Sequence, residues 1–590
     1  MESQDALDDD AFEKWLSLQV PTTPSSNSVP TTAPQPPILR EPTGTRLDHV
    51  HLLPSQTEHV NRLQNIFDRF PFALDMSMLG AGKTYTATHL AIERGYKHVI
   101  VVCPVSVIPK WKAMHAQFNF PLRQVLGYQA LRGVKFKQPK HGLLFRREMT
   151  NNLFEITPAF RTLVDEGVLL IFDEVQNVKN ISSQFRAAQA LIHAATLARG
   201  PLMDSCRPQA KPEPFRSNVL LLSASPIDKH EQAVNVFRLL GVMTDDRIAQ
   251  QNIHTGMLEW RGMNQIRDFC TMLRGHGPQQ QIIYNLPMLA YTLFQSAFKQ
   301  FVSSSMPPPQ LAARLFKRNA YYVIDAEGEE IVKRGLSNLQ TAARWDGTGV
   351  NFVRDQTTAA QMASVMRSLQ IIETGKIATF ARVAHEYLQQ NEKHKCVIAV
   401  NFSDTVDDLQ RMLASFNPLL LTGSISEAQR GRVLQSFQGA DVRHRLLICN
   451  QSVASTGIDL DDKDGSFPRL ALVSPNYSTI TSYQLGHRFQ RMDTQSDACV
   501  HFVFAKRRGH TKAQCTDLIE LRVLDSLSRK SQVMKETANV ANVLFPGDHE
   551  EWHEDGMQAA PAIHIPLPRG RPLPPGIVPR FVPDDSDLED

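Results

Sequence analysis

Two segments of this chain carry residue types that handle phosphate. Ser77-Met78-Leu79-Gly80-Ala81-Gly82-Lys83-Thr84 sets two glycines ahead of a lysine and a threonine, between an apolar run and a helical stretch, Tyr85–Arg94. Gly80 and Gly82 let backbone N–H groups wrap phosphate oxygens, and the helix N-terminus adds its dipole. Lys83 supplies a point charge, and Thr84 supplies a hydroxyl for Mg²⁺. The usual pattern starts with glycine, and Ser77 stands in that place. Asp173-Glu174-Val175-Gln176 ends a second apolar run, Val168–Phe172. Two carboxylates are thereby expected at the C-terminal edge of a parallel sheet, where ligands sit in open α/β folds. Asp173 is expected to hold Mg²⁺ through water, and Glu174 to orient and deprotonate an attacking water.

A third cluster lies far downstream, Gln484-Leu485-Gly486-His487-Arg488-Phe489-Gln490-Arg491. Arg488 and Arg491 are three apart, so a helix would project them from one face. Such arginines can spread the charge that develops on a transferred phosphoryl group, worth about 10³–10⁵ in rate in other nucleotidases. Each segment also has a plainer reading: a chance loop, a solvated acid pair, an exposed basic face. Their joint presence weighs against all three.

The elements that must position these residues can be read coarsely. Short apolar runs at Phe72–Met76, His98–Pro104, Gly167–Asp173 and Asn218–Ser223 read as buried parallel strands, as do Cys396–Phe402, Arg445–Cys449, Arg469–Ser474 and Val500–Phe504. Residues 241–378 show helical periodicity and no such strand. Gly200–Arg216 reads as a surface loop. The Pro/Ser/Thr-rich stretch 21–45 and the Pro-rich acidic end from Pro546 are predicted to be disordered. The fold class is α/β: two parallel-sheet lobes in tandem, a helical insertion between them, and disordered termini.

At 590 residues the chain is long enough for several units of ordinary domain size. Its net charge of +3 conceals acidic ends. Without residues 1–41 and 584–590, 61 Lys/Arg face 48 Asp/Glu, an excess that suits a polyanion weakly. The seven cysteines, Cys103, Cys206, Cys270, Cys396, Cys449, Cys499 and Cys515, form no C-x-x-C or zinc-ligand spacing, which argues against a disulfide framework or a structural zinc. No apolar run reaches membrane-spanning length. A soluble intracellular protein is expected.

Further segments make a resemblance specific. Leu52-Leu53-Pro54-Ser55-Gln56-Thr57-Glu58-His59-Val60-Asn61 is similar to the adenine-reading segment of superfamily 2 helicases, and more narrowly of Swi/Snf-type double-stranded DNA translocases. Val102-Cys103-Pro104-Val105-Ser106-Val107-Ile108-Pro109-Lys110-Trp111 resembles their motif Ia, and Tyr128-Gln129-Ala130-Leu131-Arg132 the next strand-contacting motif. Ser223-Ala224-Ser225-Pro226-Ile227 resembles motif III. Leu421-Thr422-Gly423-Ser424 with Gln429, Arg430 and Phe437, then Ser455-Thr456-Gly457-Ile458-Asp459-Leu460, and finally Gln484 to Arg491, resemble the motifs of the second lobe. Ile519–Leu524 with Lys530 resembles a bracing helix. The match runs in order over roughly residues 50–540, which is more specific than any single motif.

The resemblance implies a nucleic-acid-dependent ATPase that uses ATP and Mg²⁺. It implies Glu174, Asp173, Lys83, Arg488 and Arg491 as catalytic residues, with Thr84 and Asp173 on the metal. Gln56, Gly80, Gly82, Lys83, Thr84, Gln484, Gly457 and Asp459 would bind the nucleotide. Pro104, Ser106, Trp111, Gln176, Ser223, Ser225, Thr422 and Gly423 would contact the strand or couple hydrolysis to movement. The expected division is 1–46 disordered, 47–240 a RecA-like ATP-binding lobe, 241–378 a helical insertion, 379–545 a second RecA-like lobe with its brace helix, and 546–590 disordered. Departures from the pattern are His487 inside the arginine motif, the sequence Met492-Asp493-Thr494-Gln495 after it, and the lack of appended chromatin-reading modules. A compact monomeric translocase on double-stranded DNA is expected, nuclear, or in the host cell or virion if viral. A nucleic-acid-dependent NTPase of transcription acting on single strands is the alternative. A non-catalytic scaffold and a small-molecule phosphotransferase explain fewer of the motifs.

Overall fold

A computed structural model describes residues 52–506 apart from 135–136, 148–152, 208–212, 252–256, 276–284, 309–310, 344–358, 456, 477 and 492, and then 530 and 532–537. These residues fall into two compact units. One is drawn from Pro30–Pro309 with Gln532–Ala541, the other from Gln310–Ser531. The proposed brace helix at Ile519–Leu524, Thr456, and both predicted disordered ends lie outside the described residues.

The first unit contains β1 (Phe72–Asp75), β2 (His98–Cys103), β3 (Leu122–Gly127), β4 (Leu144–Arg146), β5 (Phe154–Ile156), β6 (Val168–Asp173), β7 (Asn218–Leu222), β8 (Gln250–Gln251), β9 (Leu258–Glu259) and β10 (Ser303–Ser304). Six of them form one parallel sheet in the order β10-β1-β7-β6-β2-β3, while β4 and β5, and β8 and β9, make small antiparallel pairs. The Val-Leu-Leu-Ile-Phe-Asp of β6 is buried at all six positions, as a strand covered on both faces requires. Register brings Asp75 of β1 and Asp173 of β6 each opposite Leu222 of β7, so three strand ends finish level. The chain leaves them at Met76, Glu174 and Ser223, which sets the phosphate loop, the acidic pair and the Ser223 segment along one sheet edge.

The second unit contains β11 (Leu315–Val323), β12 (Lys395–Val400), β13 (Leu419–Leu421), β14 (Leu446–Asn450), β15 (Arg469–Val473) and β16 (Ala498–Lys506), all parallel in the order β11-β16-β15-β12-β14-β13. Alternation along β12 divides its core. Cys396, Ile398 and Val400 pack with Phe380, Ala384 and Leu388 of the helix Ile377–Gln390, whereas Val397 and Ala399 pack with Phe437, Leu485 and Phe489.

All eight strands anticipated from the sequence are present, and the helix after the phosphate loop spans Lys83–Glu93. The expectation of a strand-free helical segment over 241–378 needs correction. Its early helices, Arg261–Arg274 and Leu286–Leu293, join the first core through Phe269 and Leu293, and β10 completes the first sheet. Residues 315–323 form β11 of the second sheet instead. β10 is two serines with no apolar pattern to detect. β11 carries Lys317, Arg318 and Asn319 on a sheet edge, so it shows neither an apolar run nor clean alternation. The anticipated loop 200–216 holds a short helix, Leu202–Ser205.

Candidate nucleotide site

The phosphate loop bridges β1 and the helix Lys83–Glu93. Gly82 caps that helix with φ +96°, and Gly80 also has positive φ, conformations that an L side chain resists. Gly82 is constrained by its neighbour as well. A Cβ there would meet Gln56 Nε2 at 2.4 Å. Gln56 sits in the helix Pro54–Phe67, where its Oε1 accepts from Leu53 N–H at 3.0 Å and its Nε2 donates to Ala81 O at 3.2 Å. The helix carrying Gln56 is thus fastened to the loop. Lys83 Nζ donates to Ser77 O at 2.8 Å and Met78 O at 3.1 Å. Thr84 is buried and Gly80 exposed.

The acidic pair stands at the end of β6. Asp173 is buried, and burial, then the neighbouring charge of Glu174, raise its pKa to about 6. Opposing both is Trp111, whose indole Nε1–H donates to Asp173 Oδ2 at 2.9 Å. Tyr128 Oη donates to Asp173 O at 2.9 Å. Trp111 has no exposed surface, so its expected place among strand-contacting residues is corrected: motif Ia sends its tryptophan inward to hold a carboxylate. Pro104 stays half-buried at the end of β2, and the enclosed Ser106 hydroxyl has no hydrogen-bond partner among the described residues.

Glu174 lies in the left-handed region, φ 56°, uncommon for a residue with a side chain. Gln176 Nε2 donates to Glu174 Oε2 at 2.7 Å, and Ser223 Oγ donates to Gln176 Oε1 at 2.7 Å. Ser223 Oγ also accepts from Ser225 N–H at 3.0 Å. A continuous line therefore joins the carboxylate to the segment after β7. Alongside it, Lys179 Nζ reaches both oxygens of the fully buried Asp228 at 2.9 Å. Asp228 went unnoticed in the sequence because no spacing ties it to Lys179, although a charged residue just past a buried strand end was a usable signal.

In the second unit the helix Thr479–Gly486, with Gln484 buried inside it, ends before the arginines. Arg488 sits in a single 3₁₀ turn, His487–Phe489, and Gln490 is extended. The expectation that Arg488 and Arg491 share a helix face therefore fails. Arg488 is buried, with Nε donating to Ser455 O at 2.9 Å, Nη1 to Ile458 O at 3.4 Å, and Nη2 to Ser455 O. It clamps the turn leading to Gly457 and Asp459. Arg491 Nε donates instead to Asp459 Oδ1 at 2.8 Å, and Asp459 is about half exposed. Burial raises the pKa of Asp459, but Arg491, with Lys463 and Arg488, outweighs it and the net shift is downward. His487 is held well below its ordinary range by burial and by Lys317, whose Nζ lies 3.1 Å from His487 Nε2. A neutral imidazole that accepts from Lys317 follows. Thr422 is half-buried, with Oγ1 2.9 Å from Ser424 Oγ, and Gly423 and Gly457 are exposed.

Comparison with known proteins bears on both units. Residues 378–465 match the helicase conserved C-terminal domain family. A protein of Acanthamoeba polyphaga mimivirus, described as an ATP-dependent RNA helicase, is 24% identical over 452 residues, spanning 74% of this chain and 76% of the relative. The chain is thus similar to helicases, most clearly over residues 378–465. Among solved structures, the SWI2/SNF2 ATPase core of Sulfolobus solfataricus in complex with double-stranded DNA aligns over 84% of this chain and 98% of that one, with 13% identity and a TM-score of 0.27.

The oxygens of Thr84, Asp173 and Glu174 are of the kind that suits a hard divalent cation. Asp173 and Glu174 put two carboxylates side by side, and burial, then the Glu174 charge, raise the Asp173 pKa, a cost of ionisation that a cation would relieve. Among the described residues no helix is long and apolar enough to cross a membrane.

Proposed function

We propose that this protein is a superfamily 2 helicase, an ATP-dependent translocase that couples ATP hydrolysis to movement along DNA. The observation that carries the reading is the line Glu174–Gln176–Ser223–Ser225, which fastens the water-activating carboxylate to a segment outside the phosphate loop. A change at the phosphate has a route into the body of the unit. Asp173 and Thr84 are the residues that would hold Mg²⁺, which neutralises phosphate charge when bound. Lys83 and the loop amides grip the phosphates, and Gln56 orients the loop. Glu174, its rotamer fixed by Gln176, takes the proton of the attacking water. Arg491, which pairs with the half-exposed Asp459 whereas Arg488 is buried against carbonyls, is the arginine assigned to transition-state charge.

Duplex DNA is the proposed track because the motif set resembles the Swi/Snf type. The viral relative's description favours RNA as the second reading. Steady-state ATPase at low salt, alone and with duplex DNA, single-stranded DNA or RNA, tests both. Stimulation chiefly by duplex supports the proposal. Stimulation by RNA or single strands alone refutes the duplex reading in favour of the second. Turnover insensitive to every nucleic acid refutes the motor.

A further inference from the structure

Ser77 stands where the phosphate-loop pattern usually has glycine, and its side chain is fully engaged. Oγ–H donates to Asp75 Oδ1 at 2.5 Å, and the same oxygen atom accepts from Met306 N–H at 2.9 Å. Ser77 N–H also donates to Asp75 Oδ1 at 2.9 Å. The other carboxylate oxygen, Asp75 Oδ2, lies 3.0 Å from His59 Nε2, and His59 Nδ1 lies 2.9 Å from Ser304 Oγ. Arg62 Nε donates to that hydroxyl at 3.0 Å. Ser304 Oγ accepts from Arg62, and the His59 ring stands between that hydroxyl and the Asp75 carboxylate.

His59, Asp75 and Ser77 have no exposed surface, and Ser304 is buried. Burial pushes the Asp75 pKa up, but His59, Lys83 and Ser77 outweigh it, so Asp75 stays ionised. β10 is only two residues long, paired to Leu74 and Asp75, with one further bond from Met76 N–H to Ser304 O at 2.9 Å. The side-chain links are therefore a large part of what seats residues 303–306 against the loop. Beyond them the chain passes Pro307-Pro308-Pro309 and enters the second unit.

We propose that Ser77, His59 and Ser304 are positioning residues that tie the phosphate loop to segment 303–306, the last stretch of the first unit before the connection to the second. The proposal rests on the reading of this loop as the ATP site. Lys83 Nζ donates to the carbonyls of Ser77 and Met78, and a phosphate oxygen that approaches this ammonium competes with those bonds for its three N–H donors. Engaging phosphate therefore changes the restraint on Ser77, and its hydroxyl passes the change to the Met306 amide. Glycine at 77 would leave no such route.

Hydrogen exchange of the full chain, with and without Mg·ADP or a non-hydrolysable ATP analogue, tests this, with a fluorescent nucleotide reporting binding. Nucleotide is expected to alter exchange across 303–306 in the wild type. Ser77→Ala is expected to speed exchange there about tenfold, abolish the nucleotide response and weaken binding about tenfold, and Ser77→Thr to restore all three. Should Ser77→Ala fail to fold, Ser304→Ala, outside the loop, is expected to weaken nucleotide binding severalfold. Bound nucleotide with no response at 303–306 in the wild type overturns the proposal while sparing the ATP site. A retained response in Ser77→Ala, or unchanged affinity in Ser304→Ala, overturns it equally. No nucleotide binding by the wild type overturns the ATP reading, and the proposal with it.

Discussion

Trp111→Phe tests whether the motif Ia tryptophan serves the nucleotide or the track. Phenylalanine keeps most of the buried ring but deletes the N–H that donates to Asp173 Oδ2 at 2.9 Å. A hydrogen bond to a charged group contributes about 1.5–3 kcal/mol, and each pKa unit corresponds to about 1.4 kcal/mol. Asp173 already stands at about 6 because burial and Glu174 resist its ionisation. Without the indole its pKa should climb by about one to two units, enough to leave much of it protonated at neutral pH. The assay is kcat/KM for ATP against pH at limiting Mg²⁺, which reports groups of the unliganded enzyme. The acid limb should move to higher pH by about one to two units, with the variant approaching wild type in alkali. The Mg²⁺ requirement near pH 6.5 should rise about tenfold. An acid limb that coincides with wild type, together with weaker stimulation by DNA, would refute the reasoning and return Trp111 to the track.

Three further outcomes follow from the same geometry. Because the native state raises the pKa of Asp173, it binds that proton more tightly than the unfolded chain, so ionisation costs stability as pH rises from about 4 to 6. Asp173→Asn should therefore unfold at higher temperature than wild type at pH 8, by about 1–3 kcal/mol, lose that advantage below pH 4, and hydrolyse no ATP; equal melting at pH 8 contradicts the argument. Glu174→Gln should bind nucleotide like wild type yet turn over about 10²–10⁴ times more slowly, whereas Lys83→Ala should lose binding itself. The arginines should separate: Arg488→Ala removes a buried guanidinium from three carbonyl contacts and should cost about 2–4 kcal/mol, visible as a lower Tm. Arg491→Ala, which loses a partly exposed pair worth about 0–1 kcal/mol and the Nη1 bonds to His487 O and Gln490 O, should lower Tm less than Arg488→Ala, while turnover falls by about 10³. Equal loss of Tm in both would merge their roles.

The strands that carry the site were legible because buried parallel strands need apolar side chains on both faces, and Val168–Phe172 or Val99–Val102 can be little else. What escaped were the edge strands β3, β10, β11 and β13 and the two small antiparallel pairs; β10 and β11 in particular show no such signature. The helical reading of Arg488 and Arg491 failed for a related reason. Spacing implies a shared face only while the helix lasts, and this helix ends at Gly486.

Local chemistry alone determined the phosphate loop, because glycine, lysine and threonine act through their own backbone freedom and functional groups. The acidic pair was equally plain, since a strand end puts its carboxylates at the sheet edge whatever surrounds them. Only the tertiary structure decided what each side chain leans on. Trp111 meets Asp173 across 62 residues, and Ser77 meets Met306 across 229. A hydrogen bond is satisfied by proximity in space, and no period or motif along the chain records which distant donor arrives.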